Sequence, residues 1–306
     1  MQIRVGIILV TYNRLSDLKN TLLLYGNQTK KPEVLLVVDN NSTDGTQEYL
    51  CEWEKANDSF LKQVLYLPRN VGGSGGFAAG MKKMLEMDVD WIFVADDDAI
   101  PHRDMLERLL EFVQEYPREI EKCSAICTAV NNNGSFSGIH RCRIKKGFLG
   151  YVESYVPENE YNKPYFYIDI YSFVGTMIKK KCLQIAGVAR DDFFIYNDDY
   201  EHAVRVGKEG TLICVPAAVM DHVDNLTYTR EATWRDYYST RNAIIMHLEH
   251  FGKWAGAMRA FRRILVALAS LNPKKMKVIS RAIIDAYLGR TGIHPIYKPG
   301  WSDTRK

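Results

Sequence analysis

The sequence WIFVADDDAIPH, residues 91–102, joins a core strand to a dense cluster of negative charge. It begins with an apolar run, which is typical of a buried β-strand. Three consecutive aspartates, Asp96, Asp97 and Asp98, follow this run directly. Their like charges repel one another, and burial at the end of a strand removes part of their hydration. The protein therefore needs a compensating feature at this position.

Strand-like apolar runs alternate with helical patterns through the first half of the chain. Strands are predicted at residues 3–10, 33–39, 63–67 and 91–95, and helices at 15–27, 44–57 and 76–87, with a glycine-rich loop before the last helix. Asp44 and Gln47 match a capping box at the start of the second helix. This alternation, with short connections, predicts an α/β fold in which helices flank both faces of a mostly parallel central sheet.

Polar residues follow each of the four predicted strands. They occupy positions 11–14, 39–42, 69–70 and 96–98. Parallel α/β sheets bind ligands at the carboxyl ends of their strands. We therefore expect the four groups to line one edge of the sheet and to form one binding site. A polar loop can end any one strand, but that explanation accounts poorly for all four.

A divalent cation would make the three aspartates tolerable. Mg²⁺ and Mn²⁺ prefer oxygen ligands and commonly bridge carboxylates to substrate phosphates. Asp96 and Asp98 are two residues apart, so on an extended strand end they project to the same side. Asp97 then faces elsewhere, where it can bind a ribose hydroxyl or make a structural bond. The pattern predicts a cation that recruits a diphosphate and stabilises its charge as it departs.

The second half of the chain is less regular. Residues 131–165 are rich in Asn, Gly, Tyr and Lys, which predicts an insertion or a β-hairpin. Strand character returns at 167–180, and again at 211–222, where the strand ends in a histidine. A helix is predicted to begin near Asp198, and the chain is predicted to be helical from Thr233 onward.

The glycine stretch NVGGSGGFAAG, residues 70–80, also fits the permissive dinucleotide fingerprint G-x-G-x-x-A, with Asp96 at the distance of the expected acidic residue. Three features weigh against a nicotinamide-dependent dehydrogenase. Residues 68–71 separate the strand from the glycines, whereas the fingerprint needs an immediate tight turn. The unit is the third in the chain rather than the first. Three carboxylates would also repel a pyrophosphate unless a cation lay between them.

The segments ILVTYNR, LVVDNNSTDGT, RNVGGSGGFAAG and FVADDDAIP, in this order within residues 3–101, resemble family 2 glycosyltransferases, whose nucleotide-sugar domain has the GT-A fold. The resemblance continues through FFIYNDDYEHAVRV and MDHVDN, and it covers residues 3–225. The glycine run and the triple aspartate are most similar to the galactofuranosyltransferases, and related rhamnosyltransferases share much of the pattern. Polymerising galactofuranosyltransferases are longer and carry paired tryptophans where this chain has YSFVG, residues 171–175.

The resemblance divides the chain into parts. It implies a GT-A domain over residues 1–225, with a nucleotide-sugar-binding half at 1–130 and an acceptor-binding half at 131–225, followed by a basic, amphipathic helical region at 226–306. It also implies a set of donor-binding residues: Thr11, Asn13, Arg14, Asp39, Asn70, Gly73, Asp96 and Asp97. In this set Arg14 is available to the diphosphate. The glycines let backbone approach the sugar phosphate because glycine has no Cβ.

Family enzymes of this kind invert the anomeric centre in one displacement. They need a base for the acceptor hydroxyl that is separate from the metal carboxylates. The segment NDDYEH supplies three acids at the apparent start of a helix. By the resemblance, Asp199 is the base, and Asp198 and Glu201 bind acceptor hydroxyls. Helix capping is the structural alternative for either aspartate.

The resemblance also completes the metal site. His222 follows a predicted strand and resembles the histidine that joins the metal ligands in this family. An isolated histidine is ordinarily structural, but a neutral imidazole is an acceptable third ligand beside two carboxylates, particularly for Mn²⁺. The predicted cofactor is Mn²⁺ or Mg²⁺, held by Asp96, Asp98 and His222.

The segment 252–290 is strongly basic. It carries nine Lys or Arg residues and one acid, Asp285, which is a local charge of +8 in a chain of +3. The same segment contains the apolar residues Trp254, Phe261, Leu265 and Leu268. A basic amphipathic stretch can lie on an anionic membrane surface. The alternative is a solvated helix face whose apolar side packs on the catalytic domain.

Composition sets the expected location and partners. The net charge of +3 is too small to indicate a nucleic-acid partner. The N-terminal apolar run is too short for a signal peptide or a spanning helix, and the six cysteines are scattered without a C-x-x-C pair. We expect a cytoplasmic protein, with peripheral contact at the inner face of the cell membrane as an option.

The expected function is that of a metal-dependent, inverting glycosyltransferase. It would transfer galactofuranose from UDP-galactofuranose to a cell-surface glycan precursor, and a lipid-linked acceptor is one option. The alternative within the class is a rhamnosyltransferase that uses dTDP-rhamnose. Outside the class, the alternatives are the dehydrogenase and a non-catalytic carbohydrate-binding protein, which would have no use for both a base and a metal site.

Overall fold

The computed structural model describes residues 3–148, 150–223 and 231–302. The strands are β1 (Val5–Thr11), β2 (Val34–Asp39), β3 (Leu61–Tyr66), β4 (Trp91–Asp96), β5 (Ile100–Pro101), β6 (Cys123–Asn132), β7 (Ser135–Phe136), β8 (Arg141–Gly147), β9 (Gly150–Tyr155), β10 (Phe166–Ile168), β11 (Ile170–Tyr171), β12 (Thr176–Lys179) and β13 (Thr211–Asp221). The helices are α1 (Leu15–Gly26), α2 (Thr46–Lys55), α3 (Gly72–Leu85), α4 (Met105–Glu115), α5 (Pro117–Lys122), α6 (Lys180–Ala186), α7 (Asp198–Val206), α8 (Trp234–Phe251), α9 (Lys253–Ala269) and α10 (Pro273–Tyr287).

The main sheet has the strand order β10-β13-β6-β12-β4-β1-β2-β3. The strands β3, β2, β1 and β4 run parallel to one another, as the strand–helix alternation predicts. β12 is antiparallel to both β4 and β6, and β13 runs parallel to β6. The sheet is therefore mostly parallel, and an antiparallel strand joins its two halves.

The parallel strands β1, β2 and β4 are buried on both faces, whereas the edge strand β3 is partly exposed. In β1, Ile7 and Leu9 pack in one core with side chains of α1 and α4. The alternate residues Ile8 and Val10 pack in a second core with side chains of α3. This alternation follows from the two-residue period of a strand. The predicted arrangement of helices on both faces of the sheet is confirmed.

The glycine stretch is helical rather than a loop. α3 begins at Gly72, so the prediction that a helix starts near residue 76 was wrong. A Cβ at Gly76 would lie 2.5 Å from Cγ1 of Val10, and one at Gly80 would lie 2.6 Å from Cγ2 of Ile8. Glycine is a weak helix former, which favoured a loop from sequence alone. Here its missing side chain lets α3 approach the sheet closely.

The predicted capping box at Asp44 and Gln47 was also wrong. α2 begins at Thr46, and its N-cap is Gly45 in a left-handed conformation. Asp44 accepts hydrogen bonds from the backbone N–H groups of Leu15 (3.1 Å) and Thr46 (3.3 Å). Gln47 donates instead to the carboxylate of Asp39 at 2.8 Å. The capping box required the side chain of Gln47, but this side chain is bound by the buried carboxylate of Asp39 at the end of β2.

A second, smaller sheet lies beyond the parallel strands. It has the order β11-β8-β9, and β8 and β9 form an antiparallel hairpin. This confirms the β-hairpin predicted within residues 131–165. A reciprocal capping box between Thr233 and Asp236 begins α8, in agreement with the predicted start of the helical region. The prediction that the chain stays helical was wrong after α10, because the described residues 288–302 contain three glycines and two prolines and form turns and bends. The predicted boundary between residues 225 and 226 lies outside the described residues.

The described helices are all too short or too polar to cross a bilayer.

Replacing Gly80 by Ala should destabilise the fold. The added Cβ would overlap Ile8, so α3 must move away from the sheet, and overpacking of this kind costs about 1–3 kcal/mol of the free energy of unfolding. Gly26→Ala is the matched control, because nothing lies within 4 Å of a Cβ at that helical position. Urea unfolding followed by circular dichroism measures both variants. Equal midpoints for the two would contradict the close approach of α3.

Candidate active site

Three potential metal ligands meet at the carboxyl edge of the main sheet. Asp96 ends β4, Asp98 follows it, and His222 follows β13. Their ligand atoms all lie within 4.8 Å of one another, and Nε2 of His222 is 3.6 Å from Oδ1 of Asp98. Two carboxylates and one imidazole form a donor set suited to Mn²⁺. The structure thus brings together the three residues predicted to bind a metal.

The short strand β5 explains how His222 reaches the aspartates. β4 and β13 are not neighbours in the sheet, because β12 and β6 lie between them. β5 comes directly after the aspartates and pairs with the end of β13, where Ile100 lies opposite Asp221. This pairing places the residue after Asp221 beside the residues before Ile100. The sequence alone gives no signal for a strand of two residues.

Opposite charges offset the carboxylates. Burial and the charge of Asp98 raise the pKa of Asp96 to about 6. Burial also opposes the ionisation of Asp98, but its contacts with His222 and Arg14 lower its pKa. Arg14 forms ion pairs with both Asp97 and Asp98. The guanidinium predicted to serve the diphosphate therefore lies against the aspartates themselves.

Asp97 is not one of the three clustered ligands, although Arg14 pairs with its carboxylate as well as with that of Asp98. Its side chain is buried, and the hydroxyl of Thr11 donates to its carboxylate at 2.6 Å. The hydroxyl of Thr21 donates to its carbonyl at 2.7 Å. Burial raises the pKa of Asp97 to about 7. Of the two roles left open for it, these contacts fit the structural bond, and they also occupy the hydroxyl of Thr11.

The other predicted donor-binding residues share the same edge. The register pairs Val10 with Asp96 and Thr11 with Asp39, so the ends of β4, β1 and β2 are level. Asp39 is fully buried and accepts hydrogen bonds from the backbone N–H of Ser42 at 3.2 Å. Asn13 has a left-handed backbone (φ 52°), and its backbone N–H donates to Oγ of Ser42 at 2.9 Å. The expectation that the strand ends form one edge is confirmed.

Asn40 belongs to the polar group 39–42 expected at this edge, but no role was predicted for it. It is buried, and its side-chain amide donates to the carbonyl of Gly72 at 3.0 Å and to Asn70 at 3.2 Å. Its carbonyl oxygen accepts from the backbone N–H of Val71 at 2.9 Å. Asn40 therefore ties the end of β2 to the turn that carries Asn70 and leads to Gly73. Its position next to Asp39 at a strand end was the available signal.

The first turn of α7 carries the predicted base. Asp198 is buried, and burial raises its pKa to about 7. Burial and the charge of Asp198 raise the pKa of Asp199 well above its ordinary value. The charge of Asp96 contributes to both shifts. The aspartates of α7 therefore respond to the charge of Asp96, one of the three potential metal ligands. The helix N-terminus favours negative charge at their position.

Glu201 lies in a different environment. It is 1% exposed, and its carboxylate accepts from Nε of Arg205 at 2.8 Å and lies 3.0 Å from Nε2 of His250. Burial alone would raise its pKa, but these two partners lower it to about 2. The carboxylate is thus held in a buried ion-pair network. These contacts give no support to its predicted role as an acceptor ligand.

The family is established by sequence. The model of glycosyl transferase family 2 matches residues 6–183, which is more than half of the chain. The chain belongs to this family. The alternatives of a dehydrogenase and of a non-catalytic carbohydrate-binding protein are therefore set aside.

Curated relatives of the glycosyltransferase include both predicted branches. This chain is 37% identical to galactofuranosyltransferase GlfT1 of Mycolicibacterium smegmatis over 94 residues, which is 31% of this chain and 30% of that protein. It is 24% identical to dTDP-rhamnosyl transferase RfbF of Shigella flexneri over 248 residues, 78% of each chain. The chain thus spans less than a third of the length of the galactofuranosyltransferase.

Solved structures confirm the fold. GalNAc-T7 with UDP, GalNAc and Mn²⁺ matches with a TM-score of 0.66 and 14% identity, over 92% of this chain and 54% of that one. The mannosyltransferase PcManGT from Pyrobaculum calidifontis, in complex with GDP-Man and Mn²⁺, matches with a TM-score of 0.57 and 16% identity, over 95% and 87% of the two chains. At these identities the comparison supports the GT-A fold alone.

The turn before α7 in the glycosyltransferase has a strained backbone. Phe194, Tyr196 and Asn197 have φ values of 68°, 66° and 62°. Such a conformation costs a non-glycine residue on the order of 1–3 kcal/mol and persists only where the surroundings impose it. The turn also touches the start of α3, where the N–H of Ser74 donates to the carbonyl of Phe194 at 3.2 Å. It therefore connects the start of α3 to the aspartates of α7.

Asn242 of α8 holds this turn, and no local sequence pattern indicates this role. Its side chain is fully buried, and its Nδ2 donates to the carbonyls of Phe193 (3.0 Å), Ile195 (2.8 Å) and Tyr196 (2.9 Å). Nε of Arg241, also buried, donates to Oδ1 of Asn242 at 2.9 Å and fixes its orientation. A contact between residues some distance apart in sequence thus shapes the turn that presents the predicted base.

Replacing Asn242 by Ser should loosen this turn. The shorter side chain cannot reach the three carbonyls, and leaving buried acceptors unsatisfied costs about 1–3 kcal/mol. Hydrogen exchange measured by mass spectrometry should show faster exchange over residues 193–201. Thr240→Ala is the matched control, because Thr240 is buried in the same helix but accepts from Arg263. Equal protection in the two variants would show that the turn does not depend on Asn242.

Proposed function

We propose that this family 2 glycosyltransferase transfers a galactofuranosyl group from UDP-galactofuranose to a glycan acceptor, with inversion at the anomeric carbon. The observation that carries the proposal is the juxtaposition of two acidic groups. The residues Asp96, Asp98 and His222 offer a metal site. The negative charge of Asp96 also acts on the carboxylates of Asp198 and Asp199. One group suits the donor diphosphate, and the other suits an acceptor hydroxyl.

The metal site fits Mn²⁺ or Mg²⁺ by its chemistry. Asp96 and Asp98 are oxygen ligands, and His222 adds a nitrogen ligand that favours Mn²⁺. A bound cation would supply positive charge to the diphosphate as it leaves. Arg14 is a second source of positive charge at the same place, since it already pairs with Asp98. The solved relatives with Mn²⁺ and a nucleotide or nucleotide sugar are consistent with this assignment.

Asp199 is the proposed general base. The acceptor oxygen would bond to the anomeric carbon while the bond to the diphosphate oxygen breaks, and the hydroxyl proton would pass to Asp199. A raised pKa makes a carboxylate a stronger base, and Asp199 has this property because of burial and the charge of Asp198. Asp198 is the proposed ligand of an acceptor hydroxyl. The geometry does not favour Glu201 for either role, because Arg205 and His250 occupy it.

The donor sugar is the part of the proposal that rests on relatives. The segment matched to GlfT1 has the higher identity, whereas the match to RfbF covers far more of the chain. Transfer of rhamnose from dTDP-rhamnose is therefore the second candidate. A screen of nucleotide sugars, with mass spectrometry of the glycan product, distinguishes a galactofuranose increment from a deoxyhexose increment. A product with neither increment would overturn both candidates.

The proposed acceptor is a cell-surface glycan precursor. A further relative, 30% identical over 111 residues, is the putative teichuronic acid biosynthesis glycosyltransferase TuaG of Bacillus subtilis. Such precursors can be carried on lipid, which would require the enzyme to work at a membrane surface. We propose the inner face of the cell membrane as that surface.

Replacing Asp98 by Ala should abolish metal-dependent binding of UDP. Loss of a direct ligand should weaken UDP binding by more than about 10–100-fold, the range typical for removing an outer-shell partner of a metal site. Calorimetry with and without Mn²⁺ measures this effect. Asp17→Ala, an exposed acid on α1, is the matched control and should bind as the parent does. Unchanged turnover in the presence of a chelator would contradict the metal assignment.

Replacing Asp199 by Asn keeps the size of the side chain but removes its basicity. Donor binding should survive, while transfer should fall by about 10²–10⁴-fold, the usual contribution of a positioned base. In the parent, kcat should be lost as the pH falls through the raised pKa of Asp199, because only the carboxylate accepts a proton. The Asn variant should lack this pH dependence.

Asp198→Asn is the comparison variant for the base. If Asp198 binds the acceptor, this change should raise the acceptor KM more than it lowers kcat. Steady-state kinetics of both variants, beside their affinity for UDP, separate the two roles. A near-parental rate for Asp199→Asn would place the base elsewhere.

A further inference from the structure

One face of α9 is apolar and exposed. Trp254, Phe261, Ile264, Leu265 and Leu268 are all between 42% and 57% exposed. Their spacing places them on a single side of the helix. Single exposed apolar residues are common on soluble proteins, but a continuous row of them marks an interaction site. We call this row the α9 surface.

The opposite face of α9 packs inside the protein. Its small residues Ala255, Gly256, Ala260 and Ala267 are buried. A Cβ at Gly256 would lie 2.3 Å from Cδ2 of Leu248, which shows how closely α9 approaches α8. The α9 surface is therefore what remains after α9 has made its internal contacts. The alternative was that the apolar side of the segment packs on the catalytic domain. In α9 the buried face consists of these small residues, and the large apolar side chains stay exposed.

The β8–β9 hairpin extends the α9 surface. Phe148 is 88% exposed, and its carbonyl accepts a hydrogen bond from Nε1 of Trp254 at 3.1 Å. The two rings lie 6.4 Å apart, edge to face. The same hairpin carries the exposed residues Lys145 and Lys146. Exposed aromatic rings beside basic residues are typical of surfaces that enter the lipid headgroup region.

The exposed charges within residues 252–290 have one sign. The only acid in residues 252–290, Asp285, is buried between Arg281 and Arg290. Lys253, Lys274 and Lys277 are exposed. Every exposed charged residue in this segment is therefore positive. Two copies of such a surface would repel each other, whereas an anionic surface would attract it.

We propose that the α9 surface, together with Phe148, docks on the headgroup region of an anionic lipid bilayer. The apolar row would enter the headgroup region, and the flanking lysines would contact the lipid phosphates. The proposal rests on the membrane location given under the proposed function and adds the surface that makes the contact, and it does not depend on the identity of the donor. It would hold the enzyme at the surface where a lipid-linked acceptor lies.

Sedimentation of the full chain with vesicles tests the docking, without donor or metal. Vesicles of phosphatidylcholine alone are compared with an equal mixture of phosphatidylcholine and phosphatidylglycerol. Binding should be confined to the anionic vesicles. It should weaken as salt shortens the screening length from about 10 Å to about 3 Å. Equal binding to both vesicle types, or no binding to either, would overturn the proposal.

Two variants separate the apolar contribution from the charged one. Leu265→Ser with Leu268→Ser should abolish sedimentation, and Lys253→Glu with Lys277→Glu should weaken it by about fivefold or more for each charge. Leu23→Ser with Lys30→Glu, at exposed positions on and after α1, is the matched control and should bind as the parent does. Circular dichroism and UDP affinity show that each variant is folded, so a failure of docking is distinct from a failure of the proposed function.

A second copy of the chain is the other possible occupant of the α9 surface, and light scattering after size exclusion measures whether the protein forms a dimer. A dimer that dissociates in the Leu265→Ser and Leu268→Ser variant, without vesicle binding by the parent, would assign the α9 surface to a second copy and overturn the proposal.

Discussion

Carboxylates from β4 and from α7 converge at one edge of the sheet, and their mutual repulsion constrains everything around them. Burial raises the pKa values of Asp198 and Asp199, and the charge of Asp96 adds to both shifts. Asp98 is offset by Arg14 and His222, which come from the ends of other strands. Each acid thus keeps a different degree of ionisation. That difference is what a site needs if some acids are to hold positive charge and another is to accept a proton.

The site draws its residues from both halves of the main sheet. Asp96 and Asp98 follow β4, which belongs to the parallel half, and His222 follows β13, which belongs to the other half. β5 joins the two by pairing with the end of β13. The turn before α7 makes a second connection through Phe194 and the start of α3. Neither half therefore holds a complete site by itself.

The parallel strands were predictable because their signal is local. Apolar runs and polar strand ends lie in continuous sequence, and the edge they form follows from topology alone. The contacts that shape the site are not local. The two-residue strand β5, the reach of Asn242 to the turn at 193–197 and the side-chain amide of Asn40 all join residues far apart in sequence. The start of α3 was missed because the propensity of glycine favoured a loop, whereas packing against Val10 and Ile8 decides the structure.

Glu201 shows why an acidic motif does not assign its own roles. Asp198, Asp199 and Glu201 lie within one turn of α7, and from the motif all three were candidates for the acceptor side. Arg205 lies four residues after Glu201, which is the spacing of an ion pair on one helix face, and this signal was present in the sequence. His250 adds a second partner from α8 that no local pattern reveals. A buried carboxylate that is already bound by two side chains has little left to offer a substrate. The acids available for chemistry are those, like Asp199, whose neighbours repel their charge instead of pairing with it.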